Sequence, residues 1–102
     1  DGTLKVDDST FSKNDSYVLA VRQGNAKTPD TILVLGRDTD SAFYGLTTLY
    51  QIFQQLPGRA VSNLTFSDWA DVKSRGFIEG YYGSPWSTKD RVNLMTWGAT
   101  TR

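Results

Sequence analysis

Between Asp40 and Leu56 the sequence DSAFYGLTTLYQIFQQL carries apolar side chains at Ala42, Leu46, Leu49, Phe53 and Leu56. Steps of four, three, four and three residues put these five on one side of a helix. Thr39 or Asp40 is placed to cap its start, and Pro57-Gly58 supplies a stop. A helix with a single apolar stripe needs a second layer to cover. The runs before it read as strands. Residues 17–23, YVLAVRQ, alternate in part and end at Gly24. Residues 31–35, TILVL, form a short continuous apolar run closed by Gly36, the pattern of a buried strand. The fold class that follows is α/β (α+β), a small sheet covered by a helix. Gly45 inside the helix costs about 1 kcal/mol relative to Ala. Close packing of helix on sheet is the expected reason for it.

The second half is less regular. AVSNLTF at 60–66 suggests a weakly patterned strand. SDWADVKSR at 67–75 is a polar connection between two units. GFIEGYYG at 76–83 reads as a strand, and a helix follows from Ser87. Ser87 with Asp90 approximates a capping box, with Asp for the usual Glu. Val92, Met95 and Ala99 share one face of that helix, with Leu94 and Trp97 beside them.

The 102 residues contain no Cys and no His. Disulfides, thiolate-bound zinc, a Ser-His-Asp triad and a thiol nucleophile are therefore excluded. No metal or cofactor site is expected. Catalysis would fall to carboxylates, Tyr, Lys and Ser/Thr, and Glu79 is the single glutamate. Eleven basic residues balance eleven acidic ones, which leaves no excess to neutralise a phosphate backbone and argues against nucleic acid as a partner. No apolar run approaches the ~20 residues of a membrane span. The polar opening, DGTLKVDDS, does not read as a signal peptide. Asn63-Leu64-Thr65 fits a glycosylation acceptor, a pattern common by chance. The doublet Asp7-Asp8 sits in a polar stretch with no apolar strand leading into it. It reads as solvated charge, because tuned carboxylate pairs need burial or tight geometry.

Arg75-Gly-Phe-Ile-Glu-Gly-Tyr-Tyr-Gly-Ser-Pro-Trp-Ser is the informative segment. It resembles the start of the catalytic barrel in glycoside hydrolase family 84, whose pattern is R-G-x-x-E-G-F-Y-G-x-P-W followed by D-R. Arg75, Gly76, Glu79, Gly80, Tyr82, Gly83, Pro85 and Trp86 match, then Asp90-Arg91, with Tyr81 where Phe is common. The stretch from Asp40 to Leu49 is similar to a helix in the accessory domain that precedes such barrels. The resemblance implies a division at 1–72, part of that hexosaminidase-type accessory domain, and 73–102, the first βα unit of a TIM barrel.

The resemblance further implies a retaining, substrate-assisted β-N-acetylglucosaminidase of the hyaluronidase or O-GlcNAcase kind, acting on glycans that contain N-acetylglucosamine. In that family the substrate acetamide attacks the anomeric carbon, assisted by two neighbouring Asp residues on a later barrel strand. This differs from the usual two-carboxylate arrangement. No such pair occurs within residues 1–102, so the chain alone is expected to be inactive, with the remainder of the barrel as its partner. Gly80 and Tyr82 match residues that line the sugar pocket; Gly80 lets backbone approach the sugar, and Tyr82 offers a ring and a hydroxyl. Alternation puts Glu79 on the other face, which favours a structural partner for a nearby Arg over a general acid. Trp86 fits a sugar platform or a packing anchor equally. A secreted or cell-surface bacterial origin is implied by the resemblance alone. Without the barrel, residues 76–99 are expected to be poorly ordered, rearranged or paired with another copy. The alternatives are a non-catalytic carbohydrate-binding module built on exposed aromatic rings, or a structural accessory domain.

Overall fold

The computed structural model describes residues 4–80 and 82–101. Three strands, β1 (Tyr17–Arg22), β2 (Thr31–Gly36) and β3 (Leu64–Asp68), form one antiparallel sheet in the order β2-β1-β3. Helix α1 (Thr39–Gln55) lies between β2 and β3 in sequence, and α2 (Thr88–Thr101) closes the chain. Two short 3-10 turns occupy Asp8–Ser12 and Pro57–Arg59. Asp7 caps the first of these through Ser9, which gives the Asp7-Asp8 doublet a local structural role. No described helix is long and apolar enough to cross a membrane.

The core is essentially one strand. Tyr17, Val18, Leu19, Ala20 and Val21 are the buried hydrophobic residues among those described. Both neighbours bond to β1, with Leu19 opposite Val34 on one side and Phe66 on the other. TILVL is a strand as expected, yet it is not buried. Ile32, Leu33 and Leu35 are each at least 40% exposed. The reason is position: β2 is an edge strand, so one flank has no neighbour. The third strand begins later than expected, at Leu64, and runs through Ser67 and Asp68 of the polar connection. Pro57–Arg59 turns with Gly58 at φ 71°, and Asn63 ends the sheet by accepting a bond from the Gln23 amide at 2.6 Å.

Helix α1 forms where the periodicity placed it, but it is rotated about its axis by roughly a quarter turn from the apolar stripe. Its buried residues are Ser41, Gly45, Thr47 and Thr48; of the apolar stripe, Leu46 is more than half exposed while Ala42, Leu49, Phe53 and Leu56 are partly buried. Tyr17 explains the rotation. Its ring rises from the first position of the central strand into the interface, and its hydroxyl lies 2.6 Å from Thr48 Oγ1. Only small residues fit above it. A Cβ at Gly45 would come within 2.5 Å of Val34 Cγ1 and 3.1 Å of Tyr17 Cδ2. The expected close packing at Gly45 is therefore present. The N-cap is Asp38, upstream of both candidates. Its Oδ1 accepts from the Ser41 amide at 2.8 Å and the Ser41 hydroxyl at 2.6 Å, and these bonds hold its carboxyl below the usual aspartate range.

Gly45→Ala tests this contact. Overpacking costs about 1–3 kcal/mol, against a helix-propensity gain of about 1 kcal/mol. The expected outcome is a net loss and a midpoint lowered by about 4–8 °C per kcal/mol in thermal denaturation. A variant that melts higher than the parent would show that the interface is looser than this.

Residues 69–87 contain no helix or strand among those described, so the strand read over 76–83 is not formed. A barrel strand draws its hydrogen bonds from parallel neighbours. The three strands present already pair with one another, and none lies beside this segment. Helix α2 forms with the expected Ser87–Asp90 cap, the Ser87 hydroxyl lying 2.6 Å from Asp90 Oδ2 and 3.2 Å from the Asp90 amide. None of its residues is buried. The radius of gyration is 17.5 Å, above the ~13 Å of a compact chain of 100 residues.

Candidate functional site

Arg75 opens the segment and is anchored to the sheet unit. Its Nη2 donates to Asp15 Oδ2 at 2.8 Å, Nη1 donates to the Val72 carbonyl, and the guanidinium lies 5.9 Å from the Tyr44 ring centroid. The bond to Asp15 raises the arginine pKa further above its already high value. Asp15 holds φ 49°, in the left-handed region that Asp tolerates better than most residues. Around these groups lies a cleft of about 260 Å³ that also takes in Tyr17, Asp68 and Trp69. Asp68 Oδ2 accepts from the Tyr17 hydroxyl at 3.2 Å.

Glu79 is held by Arg91, as the alternation reading favoured. Arg91 Nε donates to Glu79 Oε2 at 3.0 Å and to Oε1 at 3.2 Å. This pair closes the loop between the segment and α2. Behind it is a hollow of about 280 Å³ lined by Phe77, Glu79, Trp86, Arg91, Leu94 and Met95. Trp86 lines that hollow and remains 50% exposed, with one surface packed and one open. Phe77 and Trp97 stack at a tilt with centroids 6.2 Å apart.

Gly80 and Tyr82 are both exposed, and a Cβ at Gly80 would meet nothing within 4 Å. The fold thus presents them to solvent and does not bring them together with a second polar group. Tyr81 lies outside the described residues. Among the described residues no cluster of three or more Asp or Glu is placed to hold a metal ion. Asp15, Tyr44 and Trp69, which frame the junction, were not singled out by sequence patterns. The only local signal was the turn-forming run SKNDS at 12–16.

Two family models match the chain, one on either side of this junction. Residues 2–69 match the family model for glycosyl hydrolase family 20, domain 2. Residues 75–102 match the family model described as β-N-acetylglucosaminidase. A solved structure, that of CpGH84D, superposes with a TM-score of 0.80 and 46% identity over 93% of this chain. The chain spans 15% of the length of that protein. It therefore belongs to the glycosyl hydrolase family 20 domain 2 family through residues 2–69, and with the segment that follows it is a piece of the glycoside hydrolase family 84 type.

Proposed function

We propose that these residues serve in a retaining, substrate-assisted β-N-acetylglucosaminidase, as part of its accessory domain and the first βα unit of its barrel. The observation that supports this is the order of the two matches. An accessory-domain pattern at 2–69 is followed at once by a β-N-acetylglucosaminidase pattern at 75–102, and one solved protein aligns with both. The substrate class is glycans with terminal or internal β-linked N-acetylglucosamine, as in hyaluronan-like polymers or O-GlcNAc-modified protein. Gly80 and Tyr82 line the sugar pocket once neighbouring strands flank them. The ion pair with Arg91 suits Glu79 to bracing this loop, not to proton transfer. A bacterial protein at or beyond the cell surface fits such substrates.

The test is release of 4-nitrophenol from 4-nitrophenyl N-acetyl-β-D-glucosaminide. The 102-residue chain is expected to give none above background. A protein that continues it through the full barrel is expected to turn over at the ~1–1000 per second typical of enzymes. Failure of the longer protein to cleave any β-N-acetylglucosaminide would overturn the reading. Saturable binding of the same sugar by the short chain would favour the binding-module alternative, which draws on the exposed Tyr82 and Trp86 rings.

A further inference from the structure

Three successive residues ahead of β1 hold the chain that leaves β3. Lys13 Nζ sits 3.2 Å from the centroid of the Trp69 ring. The Asn14 carbonyl accepts from the Ala70 amide at 2.9 Å. The Asp15 carboxylate takes Arg75 at 2.8 Å. The Lys13 carbonyl is itself held by Arg37 Nη1 at 3.1 Å, and the Arg37 amide bonds to the Ser16 carbonyl at 3.0 Å, so the 12–16 turn is tied back to the sheet.

The last of these contacts differs from the others. Asp15 belongs to the family 20 domain 2 match, and Arg75 is the first residue of the β-N-acetylglucosaminidase match. Their ion pair therefore spans the two units. Both side chains are about two-thirds covered, and the planar guanidinium is oriented by the carboxylate, the Val72 carbonyl and the face of Tyr44 together. Gly76 follows directly, and a Cβ there would meet nothing within 4 Å. Arg75 therefore sets where the chain leaves the sheet unit toward Gly80 and Tyr82, while a second tie, from Gln51 Nε2 to the Thr100 carbonyl at 2.9 Å, meets the far end of α2.

We infer that Asp15 and Arg75 are a positioning pair through which the accessory domain aims the segment carrying Gly80 and Tyr82. The role of that segment rests on the function proposed above; the geometry of the pair does not. Neither residue touches sugar in this scheme. An ion pair that keeps about a third of its surface in water adds little to overall stability, so the effect belongs in orientation and not in the melting temperature.

The absence of cysteine makes the test direct. Ser67→Cys and Asn93→Cys, both at exposed positions, take nitroxide labels on β3 and α2. Dipolar spectroscopy then reads the distance distribution between the two units. Asp15→Asn and Arg75→Gln are each expected to broaden that distribution, and to speed exchange of the Ala70 amide by up to about fivefold. Arg75→Lys, which keeps the charge but not the planar fork, is expected to recover only part of the narrow distribution. The double variant is expected to be no broader than either single one, because both remove the same contact. Asp15→Asn tolerates the left-handed backbone, so it carries the test even if Arg75→Gln folds poorly. Unchanged distances in Asp15→Asn, or effects that simply add in the double variant, would overturn the inference. If the distances respond while the full-barrel protein cleaves no β-N-acetylglucosaminide, the pairing stands and the functional reading falls.

Discussion

Tyr17→Ala is expected to unfold most of the sheet unit at room temperature. The ring is 1% exposed at the start of the only buried strand among those described. Removing a buried aromatic side chain costs about 3–5 kcal/mol. Edge-to-face contact with Phe66, at 6.4 Å between centroids, adds about 0.5–1.5 kcal/mol to what is lost. Small domains have about 5 kcal/mol at the low end of the usual range, and a core this narrow belongs there. Tyr17→Phe keeps the ring and removes only the hydroxyl shared with Thr48 and Asp68, so it is expected to cost about 1–3 kcal/mol. Urea denaturation followed by circular dichroism measures both. A Tyr17→Ala protein within about 1 kcal/mol of the parent would mean that β1 is not what holds the fold together.

The same residue explains what the sequence could and could not reveal. Strand and helix positions were legible because short-range patterns set them: TILVL closed by Gly36, and DSAFYGLTTLYQIFQQL closed by Pro57-Gly58. The role of Gly45 was legible because a glycine inside a helix is costly without a close neighbour. The buried face of α1 was not. A periodicity argument assigns the apolar stripe to the core, but here the tall Tyr17 side chain reserves that space for Ser41, Gly45 and Thr48. That is a long-range fact about β1. Strand order is equally invisible in a linear pattern, and so the exposed edge position of β2 was missed.

At the candidate site the division is similar. A structural arginine partner for Glu79 was within reach of sequence reasoning and Arg91 supplies it, although the alternation behind that expectation belongs to a strand that is not formed here. The ion pair between Asp15 and Arg75 joins residues 60 positions apart, and no local pattern announces it. The strand expected over 76–83 rests on a motif whose backbone partners belong to other parts of a barrel. The motif carries the identity of the segment, while the hydrogen bonds that would flatten it into a strand depend on neighbours. Composition settled a different matter. With no Cys and no His, thiol nucleophiles, thiolate-bound zinc and a Ser-His-Asp triad are excluded for these residues.

That limit leads to the second large effect, which separates pocket lining from folding. In the short chain, Gly80→Ala and Tyr82→Ala are expected to change stability by no more than about 0.5 kcal/mol, as exposed substitutions do. Nothing stands within 4 Å of a Cβ at Gly80, and Tyr82 is fully exposed, so neither change removes a packed contact. In a protein that carries the full barrel the same changes are expected to be severe. On the proposed function, a Cβ at position 80 would intrude where backbone meets sugar. Loss of the Tyr82 ring and hydroxyl removes about 1.5–3 kcal/mol of transition-state stabilisation, a fall in kcat/KM of about 10- to 150-fold. Tyr82→Phe keeps the wall and loses only the hydroxyl, so it is expected to fall between the parent and Tyr82→Ala. Steady-state kinetics on 4-nitrophenyl N-acetyl-β-D-glucosaminide, run beside denaturation of the short chain, reads both halves. Full activity in Tyr82→Ala would remove residue 82 from the pocket. Lost activity with an equal loss of stability in the short chain would make it a packing residue, because a side chain that acts only on substrate cannot destabilise a chain that binds none.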